Sequence, residues 1–143
     1  MTQPEFFDTN LVIAATVYEH PRHAASNARL SQLAAGNGVC STHTLAEAYT
    51  NLTRHSKGYG RNPADVLHVL EYIQQAFTLI TLTPREMIIT IGGVTKLGLR
   101  GPSVYDALLM ACARKVDAVA IYTWNVKHLR EVAPDLASRI REP

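Results

Sequence analysis

The run Ala118-Val119-Ala120-Ile121-Tyr122 is apolar at every position, and a strand that does not alternate is one buried on both faces. Such a strand needs helices above and below it, which commits the chain to an α/β fold with a mainly parallel central sheet. Other segments fit that frame. Glu5-Phe6-Phe7, Val39-Cys40 and Phe77-Thr78-Leu79-Ile80 read as short strands,. Helices are expected from Leu11, over Arg22 to Ala35 before the stop Gly36-Asn37-Gly38, and from Ser41-Thr42-His43-Thr44 toward Gly58,. Further helices start at Pro63 and Pro84, a preferred first-turn position for proline, and the last runs from Ser103 to about Lys115,. Leu136 to Ile140 reads equally as a closing strand or a helical tail.

A chain of 143 residues with 47% apolar content has enough material for one core, so residues 1–143 are expected to form a single domain,. A net charge of +2 with 18% charged residues excludes both a disordered polyelectrolyte and a basic coat, so any nucleic-acid contact must come from local patches,. Cys40 and Cys112 are far apart without metal-ligand spacing and are expected as buried thiols,. Met1 to Phe7 lack the basic start and apolar run of a signal peptide, and no apolar stretch reaches the ~20 residues of a membrane span,. A cytoplasmic location is expected.

In an open α/β sheet, ligands bind at the carboxyl ends of the strands where strand order reverses. Asp8 ends the first strand, Glu47 lies in the helix after the second, Asp106 opens the helix before the last strand, and Asn125 follows that strand. Three carboxylates converging on one cleft repel one another and suit a hard cation such as Mg²⁺ or Mn²⁺. Each acid also has a local alternative. Thr44-x-x-Glu47 and Ser103-x-x-Asp106 match the capping box, and Asp8 suits an Asx-turn into the first helix,.

The segments Phe7-Asp8-Thr9-Asn10-Leu11-Val12-Ile13, Ser41-Thr42-His43-Thr44-Leu45-Ala46-Glu47, Ser103-Val104-Tyr105-Asp106-Ala107-Leu108 and Tyr122-Thr123-Trp124-Asn125-Val126-Lys127-His128-Leu129 resemble, in order, the four motifs of PIN-domain ribonucleases. The resemblance is to the toxin half of VapBC toxin–antitoxin pairs. It implies a three-layer α/β/α fold and an endoribonuclease whose Asp8, Glu47 and Asp106 form an acidic core, with Mg²⁺ or Mn²⁺ on Asp8 and Asp106. It further implies that Thr9 or Asn10 orients Asp8, that Thr44 supports Glu47, and that Thr123 and Asn125 hold a water. Its implied partners are an RNA substrate, a small antitoxin protein and a second copy of the chain. Many members carry an acid where this chain has Asn125, which weakens any second metal position because an amide brings no charge. The same residues leave open a non-catalytic PIN-like module that only binds RNA or protein. A haloacid-dehalogenase-like phosphatase would need a second Asp at Asn10 and a cap, and a receiver domain would need an Asp near Thr81-Leu82-Thr83.

Two basic clusters suit phosphate contact and base stacking: Arg54, His55, Lys57, Tyr59 and Arg61 beyond the Glu47 helix, and Lys127, His128 and Arg130 beyond Asn125,. The first also reads as a solvated helix end favoured by the dipole. His20 and His23, flanking Pro21, are expected at the surface, and Trp124 as a packed aromatic.

Overall fold

The computed structural model describes residues 3–143; Met1 and Thr2, which begin the segment read above for a signal peptide, lie outside the described residues. Five parallel strands form one sheet in the order β3-β2-β1-β4-β5. They are β1 (Glu5–Phe7), β2 (Gly38–Ser41), β3 (Thr78–Ile80), β4 (Ala120–Tyr122) and β5 (Ile140–Arg141). Strand order reverses beside β1, whose neighbours are β2 on one side and β4 on the other.

Successive side chains of a strand point to opposite faces, and the two phenylalanines of β1 divide accordingly. Phe7, with Cys40 and Tyr122, joins the core made by α1 (Thr9–Thr16), α2 (His23–Ser31), α3 (His43–Thr53) and α4 (Pro63–Ala76). Phe6, with Val39 and Ile121, joins the core made by α6 (Ser103–Lys115) and α7 (Val126–Val132). On the α6 and α7 side, α5 (Pro84–Lys96) packs its Val94 on Ala107 and Val132. Both phenylalanines are fully buried, each worth roughly 1.5–3 kcal/mol of apolar burial, so the three-layer α/β/α arrangement is held from its central strand,.

Several boundaries differ from the sequence expectations. Helix α1 begins at Thr9 because Asp8 caps it. Helix α2 ends at Ser31 rather than Ala35, and three-residue bonds such as Leu33 N–H to Leu30 C=O tighten the chain beyond it,. Helix α7 went unread because its 7 residues are too few to show a helical period,. The tail takes both forms: Pro134–Arg139 is a 3₁₀ helix, and Ile140–Arg141 then pairs with β4. Cys40 and Cys112 are buried and unbonded to each other, and burial pushes the Cys40 thiol up to about 12. Among the described residues no helix is long and apolar enough to cross a membrane.

Candidate active site

The sheet's reversal places the ends of β1 and β4 side by side, and the residue after each strand meets the other. Asp8 is 5% exposed. Its Oδ1 accepts the Thr9 N–H at 2.8 Å, and its Oδ2 accepts the Thr123 hydroxyl at 2.8 Å. Thr123 Oγ1 in turn accepts the Asn125 N–H at 2.9 Å and, more distantly, the Asn10 Nδ2–H at 3.4 Å. Asn10 Oδ1 accepts the Trp124 N–H at 3.3 Å. The turn after β4 is therefore clamped to the turn after β1 by polar side chains. The local alternative for Asp8, a turn into the first helix, is met in part: it does cap α1, but its second oxygen belongs to this network.

Neither of the other two acids is a capping-box residue. Helix α3 is preceded by Thr42 and α6 by Pro102, and neither has a side-chain cap bond; Thr83 with Glu86 at the start of α5 makes a capping box instead. Thr44, one residue into α3 and fully buried, shares a 2.9 Å hydrogen bond with the Thr9 hydroxyl and makes none to Glu47. Glu47 Oε1 is buried without a hydrogen-bond partner, 3.3 Å from His43 Nε2 but outside hydrogen-bond geometry. Asn51, one turn further along α3, likewise carries a buried Oδ1 with no partner. Asp106 Oδ2 accepts from His128 Nε2 at 2.8 Å. The His43 ring stacks on Tyr105 with centroids 5.3 Å apart, joining α3 to α6.

Asp8, Thr9, Asn10, Glu47, Asp106 and Asn125 line one cleft of about 560 Å³. Its electrostatics follow from its composition. Burial pushes Asp8 up to about 6, against the pull of the Thr123 hydroxyl and with the Asp106 charge adding to the rise,. Burial also pushes Glu47 up to about 7, helped by the charges of Asp8 and Asp106. A carboxylate cluster that resists ionisation and holds an unpartnered oxygen fits a hard divalent cation, whose ligands are oxygens and whose charge removes the repulsion. Among the described residues no three His, Cys, Asp or Glu groups are grouped tightly enough to hold a metal ion unaided.

The cleft is also lined by His20, Asn51, Lys57, Gly58 and Tyr59. The loop after α3 folds back on the helix end: Tyr59 N–H donates to Asn51 C=O and Arg54 Nη2 donates to Lys57 C=O. Gly58 is required there, since an added Cβ would lie 2.4 Å from Arg54 O and 2.5 Å from Asn51 O. Of the basic residues, Lys57 lies in the cleft, whereas Arg61 is paired with Glu19, and Arg130 donates to Ala137 and Ile140 carbonyls. Lys127 is exposed beside a second, open depression that adjoins the first at Asn125. Trp124 is packed, with its Nε1–H on Ser26 Oγ at 2.9 Å and the Arg22 guanidinium 4.5 Å over its ring. His20, expected as a surface loop residue, lines the cleft. His43 and Asn51, the other residues not foreseen, stand four positions either side of Glu47, and that helical spacing is the signal that finds them.

A family profile for the PIN domain matches residues 6–133. The chain belongs to the PIN domain family. Among solved structures, this PIN domain is similar to Mycobacterium tuberculosis VapC20, described as a Sarcin-Ricin loop cleaving toxin, with a TM-score of 0.70. The match covers 87% of this chain and 92% of that one at 18% identity, a likeness of fold. No curated protein matches the PIN domain's sequence.

Proposed function

We propose that this PIN domain is a metal-dependent endoribonuclease and the toxin of a toxin–antitoxin pair. The observation that carries the reading is the pairing of Asp8 and Glu47, two carboxyls raised to about 6 and about 7 in one cleft that also contains Asp106. Carboxyls raised by burial and by one another's charge, within one cleft, are the kind of group that clusters at functional sites. Likeness of fold to VapC20, itself described as a Sarcin-Ricin loop cleaving toxin, supports the same assignment.

Asp8 and Asp106 are assigned to the cation, which when bound offsets charge on the scissile phosphate and activates water. Their orientation is set by Thr123 and His128, each of which occupies one carboxylate oxygen. Glu47 is assigned as the base: its Oε1, buried without a hydrogen-bond partner, takes the proton of the attacking water,. The water oxygen bonds to phosphorus as the leaving ribose oxygen departs and takes a proton from solvent, and no covalent enzyme intermediate is needed. Asn125 at the cleft edge supplies a neutral amide, so the site carries three acids rather than four. Thr9, Asn10 and Thr44 brace the turn that holds Asp8. A small antitoxin and a second copy of the chain complete the proposed assembly, in the cytoplasm.

The test is cleavage of a labelled RNA containing single-stranded loops, with Mg²⁺, with Mn²⁺ and with EDTA. Cleavage with either cation and none with EDTA is expected. Equal cleavage in EDTA would remove the metal mechanism, and binding without cleavage in any condition would favour a non-catalytic module.

A further inference from the structure

Besides the carboxylates, the cleft has a lining that the proposed chemistry does not use. Two loops build it. The first, between α1 and α2, carries His20, whose Nδ1 accepts the Arg22 N–H at 3.0 Å. That bond decides the tautomer: in the neutral ring the proton must then sit on Nε2, the ring's free donor. The loop is held at several points besides. His20 N–H donates to Val17 C=O and His23 N–H to His20 C=O, while the His23 Nδ1 lies 3.0 Å from Ala14 O and Arg22 sits on the Trp124 ring.

The second loop carries Lys57 with a left-handed φ of 58°, a conformation costly for a residue with a side chain,. It is kept there by the Arg54 bond to its carbonyl and by the tight approach at Gly58. An ion pair between Glu19 and Arg61 ties the two loops together. A neutral imidazole donor and a lysine thus come from two sequence-distant loops that an ion pair ties together, and both residues line the cleft. Burial, then the Arg22 and His23 charges, hold the His20 ring below its ordinary pKa, so the neutral donor form is the one present at neutral pH.

We propose that His20 and Lys57 form a phosphate subsite for the RNA strand, with His20 Nε2–H donating to a phosphate oxygen of the nucleotide next to the one being cut and Lys57 supplying its charge. The inference rests on the ribonuclease reading for the identity of the ligand.

Two conservative variants separate binding from support of the loop. The amide oxygen of His20→Asn stands where Nδ1 stands and keeps the Arg22 bond, but the variant has no donor at the Nε2 position. His20→Gln does the reverse. Affinity for fluorescent oligo-U and oligo-A RNA is measured by anisotropy in EDTA and in Ca²⁺, and cleavage by the same proteins is measured separately in Mg²⁺. The expected result is roughly tenfold weaker binding for His20→Asn on both RNAs, with His20→Gln close to wild type. Wild-type affinity in His20→Asn, equal loss in both variants, loss in His20→Gln alone, or loss restricted to one base would each overturn the subsite. So would a wild-type protein that binds neither RNA. Cleavage that is normal while the variants bind alike removes the subsite and leaves the nuclease; the expected binding pattern without cleavage does the opposite.

Discussion

Thr123 Oγ1 donates to Asp8 Oδ2 at 2.8 Å across a separation of 115 residues, joining the carboxyl end of β4 to that of β1. The bond lies where strand order reverses, the place at which an open parallel sheet leaves a crevice,. Because Thr123 also accepts the Asn125 N–H, its hydroxyl proton is directed at the carboxylate rather than free to rotate. It therefore favours the ionised form of an acid that burial otherwise keeps protonated,.

Thr123→Val removes the hydroxyl at almost constant volume from a site with no solvent exposure. Asp8 loses its main stabiliser as an anion, so its pKa rises and the acid limb of the pH–rate profile moves to higher pH. A hydrogen bond to a charged group contributes roughly 1.5–3 kcal/mol, so cleavage at pH 7 should fall by about tenfold or more. A profile with an unmoved acid limb would show that the bond has no part in the reaction.

Stability of the metal-free protein should fall as pH rises from 4 to 8, as far as these acids contribute. Asp8 moves from 3.8 to about 6 and Glu47 from 4.5 to about 7, so the folded state binds protons more tightly than the unfolded chain. For such groups the favourable contribution is complete below the unfolded values and is lost as pH rises through the folded ones. Mg²⁺ requires the ionised forms, so the rise in Tm that it causes should grow over the same interval. Denaturant or thermal melts at several pH values, with EDTA and with Mg²⁺, provide the check; an Mg²⁺ effect independent of pH would contradict the assignment.

Much of the site was legible because strand ends are legible. Phe6-Phe7 and Ala118 to Tyr122 announce strands, so Asp8 and Asn125 fall at carboxyl ends without further information. Glu47 and Asp106 were ambiguous because a capping box and a functional acid share one spacing, and only the observed helix starts, at His43 and Ser103, separate the two. The roles of the threonines were not legible: hydroxyl bonds such as Thr9 to Thr44 and Thr123 to Asp8 depend on which strands are neighbours. His20 was hidden for a similar reason, since its place in the cleft follows from the way the loop folds back over α1.

Asn125→Asp should tighten Mn²⁺ binding. Asn125 precedes α7 with no side-chain cap bond, so the exchange breaks nothing, and the carboxylate adds charge and an oxygen at the edge of the cleft,. Calorimetric titration with Mn²⁺ checks it; unchanged affinity would place Asn125 outside the cation's reach.

Gly58→Ala should destabilise the fold by about 1–3 kcal/mol, because the new methyl group meets backbone carbonyls that cannot swing aside as a side chain would,. It should also displace Lys57 and weaken RNA binding beyond the loss in stability. Denaturant unfolding and anisotropy on the same protein read the two effects, and a variant of native stability would mean that the loop is looser than its contacts imply.

If Asp8 and Asp106 hold one cation with the Glu47 charge beside it, melting of wild type beside Glu47→Gln shows it most directly. In EDTA the variant should melt higher by about 2–4 °C, which is roughly 1 kcal/mol in a chain of this size after allowance for solvent screening of a partly exposed side chain. Excess Mg²⁺ should raise wild type more than the variant and narrow or reverse that gap, since binding stabilises the folded state by mass action in proportion to affinity. If Mg²⁺ shifts both proteins equally, or neither, the three carboxylates do not surround one cation, and the metal-dependent mechanism is contradicted.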